Sequence, residues 1–276
     1  MSKVKALIIS GYGINCEKEL AIACEIAGAQ AQIAHAHHFL TGHVCLDEFQ
    51  LLMFPGGFSF GDELGAGKVF ANRLSYSSHA VSLGQRLRSF VANGNAILGI
   101  CNGFQLLIKL GLLPGLDPSQ LQQHASLAYN DIGRFENRWV HHKIGATPCI
   151  FTQDIQEIYL PVRHGEGKFV VGSDAVLQKL ISNNQIALQY ATEDGAVTDH
   201  FPHNPNGSVH SIAGVCDPTG RILGMMAHPE AALFFTNHPK WTRIKDSLRR
   251  EGKSIPTYGA GLTLFKNAVE YMEKNR

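Results

Sequence analysis

The residues best suited to covalent chemistry lie in Gly99-Ile100-Cys101-Asn102-Gly103, a single cysteine framed by two glycines. Ala96 to Ile100 reads as a short apolar strand, and a helix is expected to follow through Leu106, Leu107 and Leu110. This glycine–x–nucleophile–x–glycine spacing is that of a strand-to-helix elbow. Glycine tolerates a sharp turn and leaves room around the central side chain. At a helix N-terminus, unpaired N–H groups and the helix dipole favour thiolate over thiol. The amide of Asn102, directly after the cysteine, can donate to an oxyanion. An inert buried cysteine is a common fate, but the two glycines and the polar Asn102 and Gln105 make little sense in a plain apolar core. Cys101 is the candidate nucleophile.

A thiol nucleophile needs a base, and imidazole suits that role near neutral pH. His228-Pro229-Glu230 directly follows a predicted strand, Arg221 to Met226. In an extended stretch, residues two apart share a face, so Glu230 is expected to orient the His228 ring. Pro229 fixes φ and stiffens the link. His-x-Glu alone is commonly just surface; it gains meaning beside the elbow.

A third segment, Pro55-Gly56-Gly57-Phe58, follows the apolar run Phe49 to Phe54. If that strand neighbours the one ending at Cys101, the amide of Gly57 or Phe58 faces that of Asn102, giving a two-donor oxyanion hole. A phosphate cradle is not expected here, because Asp62 and Val69 occupy positions where the Walker pattern needs Gly and Ser or Thr. Gly11-Tyr12-Gly13-Ile14-Asn15-Cys16 also misses the third glycine of the dinucleotide fingerprint.

These residues need a scaffold that brings distant loops together. Val4 to Ile9 reads as a strand, Cys16 to Ala27 as a helix stopped by Gly28, and Gln30 to His35 as a second strand. The order implies an α/β fold: a doubly wound, mostly parallel sheet with helices on both faces. Leu83 to Ala92 is helical, and Ile186 to Tyr190 is a strand. From Leu116 to about Val171, short segments broken by Pro and Gly suggest an antiparallel edge excursion. Arg134, Arg138, His164 and Glu166 within it read most simply as surface charges. Strands at Ile212 to Cys216 and Arg221 to Met226 are joined by the turn Asp217-Pro218-Thr219-Gly220. Gly261 to Met272 carries an apolar stripe and is expected to dock as a final helix. Residues 1–242 form the expected main domain and 243–276 a C-terminal extension.

The 276 residues are 45% hydrophobic and 17% charged, an ordinary globular composition. A net charge of +1 offers no electrostatic case for nucleic acid or an anionic membrane. No apolar run approaches the roughly 20 residues of a spanning helix, and the N-terminus lacks signal-peptide organisation. The six cysteines are scattered without a C-x-x-C pair, so neither a zinc ribbon nor a disulfide framework is expected, and the cytoplasm is the natural compartment. His35, His37 and His38 cluster without nearby thiol or carboxylate and read as a solvated edge; no metal site is expected.

The elbow, the Pro55-Gly56-Gly57 loop and His228-Pro229-Glu230 together resemble the class I, triad-type glutamine amidotransferases. Further stretches resemble the branch of that family serving as glutaminase subunits of phosphoribosylformylglycinamidine synthases in purine biosynthesis. They are Pro55 to Asp62, Arg134 to Val140, His164 to Phe169 and Asn204 to Ser208. The resemblance implies hydrolysis of glutamine to glutamate and ammonia through a Cys101 thioester. His228 would be the base and Glu230 its orienter. Gly57 and Asn102 would supply the oxyanion donors, with Phe58 a neighbouring candidate; Gln105 and Glu166 would contact substrate. It further implies a separate synthetase partner, which would use ATP and magnesium, and possible association with a small accessory subunit. No cofactor is expected in this subunit.

Overall fold

The computed structural model describes residues 3–77, 82–117 and 119–275; Met1, Ser2 and Arg276, at the limits of the two expected spans, lie outside them. The first strand, β1 (Lys5–Ser10), is buried at its four central positions. Helix α1 (Glu17–Ile26) packs Leu20, Ala23 and Cys24 inward. Gly28, at φ +107°, ends this helical segment in a conformation that only glycine adopts freely. Strand β2 (Gln30–His35) then runs parallel to β1, from Lys5 opposite Gln30 to Ser10 opposite His35. This βαβ start sets a parallel sheet.

The chain continues through α2 (Ala36–Leu40), β3 (Leu51–Phe54), α3 (Lys68–Ser75), α4 (Leu83–Ala92), β4 (Ala96–Ile100) and α5 (Asn102–Lys109). β3 and β4 are buried along their whole length, as befits strands covered on both faces. The expected excursion comprises β5 (Ala125–Ala128), β6 (Glu136–Lys143), β7 (Glu157–His164) and β8 (Lys168–Val171). β6 and β7 extend the main sheet, while β5 and β8 pair separately as an antiparallel ribbon. There follow α6 (Asp174–Ser182), β9 (Ile186–Ala191), β10 (Ile212–Cys216) and β11 (Ile222–Met225). The β10–β11 turn is the expected one: Gly220 N–H donates to Asp217 O at 2.9 Å.

The nine-stranded sheet has the order β2-β1-β3-β4-β11-β10-β9-β6-β7. From β2 to β11 every pairing is parallel; beyond β11 every pairing is antiparallel. Near the end of the chain, α7 (Trp241–Arg250) buries none of its residues, whereas α8 (Leu262–Lys274) buries Leu262, Leu264, Phe265, Ala268, Val269 and Met272. α8 packs on α1 and belongs to the same core as the sheet.

Candidate active site

β4 ends at Ile100, and the chain turns through Cys101 into α5. The turn puts the cysteine itself at φ +52°. A non-glycine residue held there stores strain of about 1–3 kcal/mol, as nucleophile elbows do. The flanking glycines have a different job from the one expected. Both keep ordinary φ values; they are needed because α5 lies so close to the sheet. A Cβ on Gly103 would overlap the Phe54 carbonyl, and one on Gly99 would sit 2.7 Å from Gly103 O.

Parallel pairing decides what meets Cys101. Ile100 of β4 is in register with Met225 of β11, and Gly99 with Phe54 of β3. The three strands therefore release their loops at one edge, the position where ligands bind in such sheets. His228 and Glu230 arrive from β11 and are both buried. His228 N–H donates to Pro161 O at 2.8 Å, and its Nδ1 lies 2.5 Å from Glu230 Oε1. The link between them is not extended, as the sequence suggested. Pro229 opens a single 3-10 turn, closed by Ala231 N–H donating to His228 O at 3.2 Å, which folds Glu230 back under the ring. Burial lowers the His228 pKa, but the Glu230 charge and the nearby Cys101 and Cys16 sulfurs outweigh it and hold the pKa well above 6.5. The Cys101 thiol donates to Arg163 O at 3.5 Å.

The expected oxyanion donors separate here. Among the described residues, the Gly57 and Asn102 amides make no hydrogen bond, whereas Phe58 N–H donates to Gly13 O at 2.9 Å. This removes Phe58 from the expected pair. The cause is the Gly11 to Asn15 loop, which lies antiparallel along the Pro55 loop through an Ile14–Gly57 bridge and a bond from Asn15 N–H to Gly56 O at 3.2 Å. Gly57 is required for this approach: its φ is +132°, and a Cβ would lie 2.6 Å from Gly13 O.

Beside Cys101 is a cavity of about 140 Å3, bordered by Gly57, Phe58, Gln105 and Glu166 among others. Gln105 is held at both ends of its amide: its Nε2 donates to Glu166 O at 2.5 Å and its Oε1 accepts from Asn102 Nδ2 at 3.1 Å. Asn102 also donates to Asp62 Oδ1 at 3.0 Å and accepts from Ser59 N–H at 3.2 Å. Glu166 Oε2 accepts from Ala66 N–H at 3.2 Å. Burial pushes the Asp62 carboxyl above its usual range and pulls the Lys109 amine below its own.

His164 is not the surface charge expected from sequence. It faces inward from β7, its Nδ1 is 3.0 Å from Asn130 Oδ1, and burial lowers its pKa to about 3. Arg134 and Arg138 do reach the surface, but both pair with the buried Glu136. Asn204 to Ser208 forms internal scaffolding: Asn206 Nδ2 donates to Gly167 O at 2.9 Å, and Ser208 Oγ accepts from Phe169 N–H at 2.8 Å. Sequence reasoning missed Cys16, whose sulfur comes close to His228. The only hint was its place after the Gly11 and Gly13 loop, since its neighbour lies at the far end of the chain.

The family model for a CobB/CobQ-like glutamine amidotransferase domain matches residues 3–272, and the chain belongs to that family. The chain is 40% identical to the phosphoribosylformylglycinamidine synthase subunit PurQ of Methanococcus maripaludis strain C7, across 98% of each protein. It is 42% identical to the protein of the same name from Dehalococcoides mccartyi, again across 98% of each. The solved structure of PurLQS from Thermotoga maritima is similar over 98% of this chain and 100% of that one, with a TM-score of 0.69 and 26% identity. No helix among the described residues is long and apolar enough to cross a membrane.

Proposed function

We propose that this chain is the glutaminase subunit of a phosphoribosylformylglycinamidine synthase. The observation that carries the chemistry is the buried His228–Glu230 pair, 2.5 Å apart, at the sheet edge that also bears the Cys101 elbow. Near-full-length relatives with the synthase name support the pathway assignment.

Glutamine enters the cavity beside Cys101, with Glu166 toward its amino group and Gln105 bracing the floor. The thiol leaves the Arg163 carbonyl and passes its proton to His228 Nε2, while Glu230 holds the opposite ring nitrogen and stabilises the imidazolium. Sulfur attacks the side-chain amide carbon. The resulting oxyanion accepts from the Gly57 and Asn102 amides, each worth about 2.7–4 kcal/mol of barrier. Collapse expels ammonia, which takes its proton from the imidazolium, and leaves a thioester on Cys101. His228 then draws a proton from water, which attacks the thioester carbonyl; glutamate departs and the thiol is restored.

The ammonia passes to a separate synthetase subunit that uses ATP and magnesium to convert formylglycinamide ribonucleotide to formylglycinamidine ribonucleotide. A small accessory subunit joins the assembly, and the setting is the cytoplasm. The test is the assembled synthase carrying Cys101→Ala, assayed with glutamine and with ammonium. Glutamine-dependent activity should vanish and ammonia-dependent activity persist. Surviving glutamine turnover would remove Cys101 from its role, and loss of both activities would refute the division of labour.

A further inference from the structure

Three polar atoms beside Cys101 play no part in glutamine hydrolysis or stand unpartnered at rest. They are the sulfur of Cys16, the second oxygen of Glu230, and Nε2 of His228. Cys16 stands at the start of α1, on the loop bonded to Gly56. Its thiol is half-buried and donates to Asn15 Oδ1 at 3.2 Å. Gly56 makes the convergence possible. A Cβ there would lie 2.8 Å from His228 Cε1, 3.4 Å from Cys16 Sγ and 3.5 Å from Cys101 Cβ. The sulfur of Cys16, a ring nitrogen of His228 and a carboxylate oxygen of Glu230 all lie within 4.8 Å of one another. His228 Nε2 and Glu230 Oε2 are buried and have no hydrogen-bond partner.

We propose that Cys16, His228 and Glu230 form a binding site for a thiophilic divalent cation of the zinc class, and that its occupancy reversibly blocks the catalytic imidazole. Thiolate, imidazole and carboxylate are the three side-chain donor types zinc takes, and three protein ligands leave a fourth position for water. Donors around one zinc stand roughly 3.5 Å apart, so the ion enters at His228 Nδ1, where the 2.5 Å contact with Glu230 Oε1 opens to admit it. Binding expels the Cys16 thiol proton and, where His228 is an imidazolium, one of its two ring protons to solvent, so affinity rises with pH. An imidazole bound to metal cannot take the Cys101 proton. That inhibitory consequence rests on the glutaminase reading; cation binding itself does not.

The site is tested with zinc chloride by equilibrium dialysis of the full chain, without turnover. The wild type should take up one zinc per chain. Cys16→Ser and Cys16→Ala should each weaken binding by about tenfold or more, while Cys101→Ala should stay within about threefold. Cobalt(II) chloride should give a thiolate-to-metal charge-transfer band that both Cys16 variants lose. In the assembled synthase, zinc should inhibit glutamine turnover, and Cys16→Ser should need correspondingly more zinc relative to its own metal-free rate. No zinc uptake, equal uptake by wild type and the Cys16 variants, or uptake abolished by Cys101→Ala would each overturn the site. If zinc binds as described but the wild-type synthase turns over no glutamine, the glutaminase reading fails and the metal site stands.

Discussion

Phe58 N–H donates to the carbonyl of Gly13 at 2.9 Å, tying the loop after β3 to the loop after β1. The bond engages the Phe58 amide and leaves the adjacent Gly57 amide without a partner among the described residues. Side-chain changes at Phe58 should therefore leave oxyanion stabilisation intact. Gly57→Ala must abandon φ +132° and move a Cβ off Gly13 O. It should lower kcat for glutamine by about 10²–10³, the cost of one donor. Steady-state kinetics of Gly57→Ala and Phe58→Ala in the assembled synthase make the comparison, and a Phe58→Ala defect as deep as that of Gly57→Ala would reverse the assignment.

Glu230 is buried, and its charge, together with its hydrogen bond to His228 and the nearby Cys101 and Cys16 sulfurs, outweighs the desolvation of His228. Glu230→Gln keeps the shape and removes the charge. The imidazole pKa should then fall, moving the His228 inflection in the pH–rate profile to lower pH. The kcat should drop by about 10²–10⁴, because the ring loses its fixed tautomer and its counter-charge. An unshifted profile with near-normal kcat would separate Glu230 from the chemistry.

Gly103→Ala probes the close approach of α5 to β3. The new methyl meets the Phe54 backbone carbonyl, which cannot rotate away as a side chain would. Overpacking of this kind costs about 1–3 kcal/mol. For a chain of this size, that is a Tm lower by roughly 2–4 °C per kcal/mol. Thermal unfolding checks it, and a glutaminase loss accompanying the lower Tm would show that the elbow moves with the helix.

His142 lies fully buried in β6, its ring 5.5 Å from that of Tyr190, and burial lowers its pKa from 6.5 to about 4. The unfolded chain binds this proton more readily between those two values. Stability from this group is thus complete above about pH 6.5 and declines as pH falls toward 4, by about 3 kcal/mol in the limit. His164, whose pKa is about 3, acts in the same direction. Urea midpoints measured from pH 7 to 4 should fall less steeply for His142→Phe than for the wild type.

Local elements and chemical identities were legible in the order of residues alone. A glycine-framed cysteine after an apolar run, the helix Leu83–Ala92, the Asp217–Gly220 turn and the βαβ opening could each be read because each is written in a few adjacent residues. Which loops meet was settled by packing in three dimensions. That β11 inserts beside β4, in register at Met225 and Ile100, is a long-range pairing, and it alone brings His228 to the cysteine. The inward turn of His164, the loss of the Phe58 amide to Gly13 and the arrival of Cys16 beside the imidazole have the same origin. Each depends on a neighbour supplied by a remote segment, and no local pattern of residue types records where a remote segment will pack.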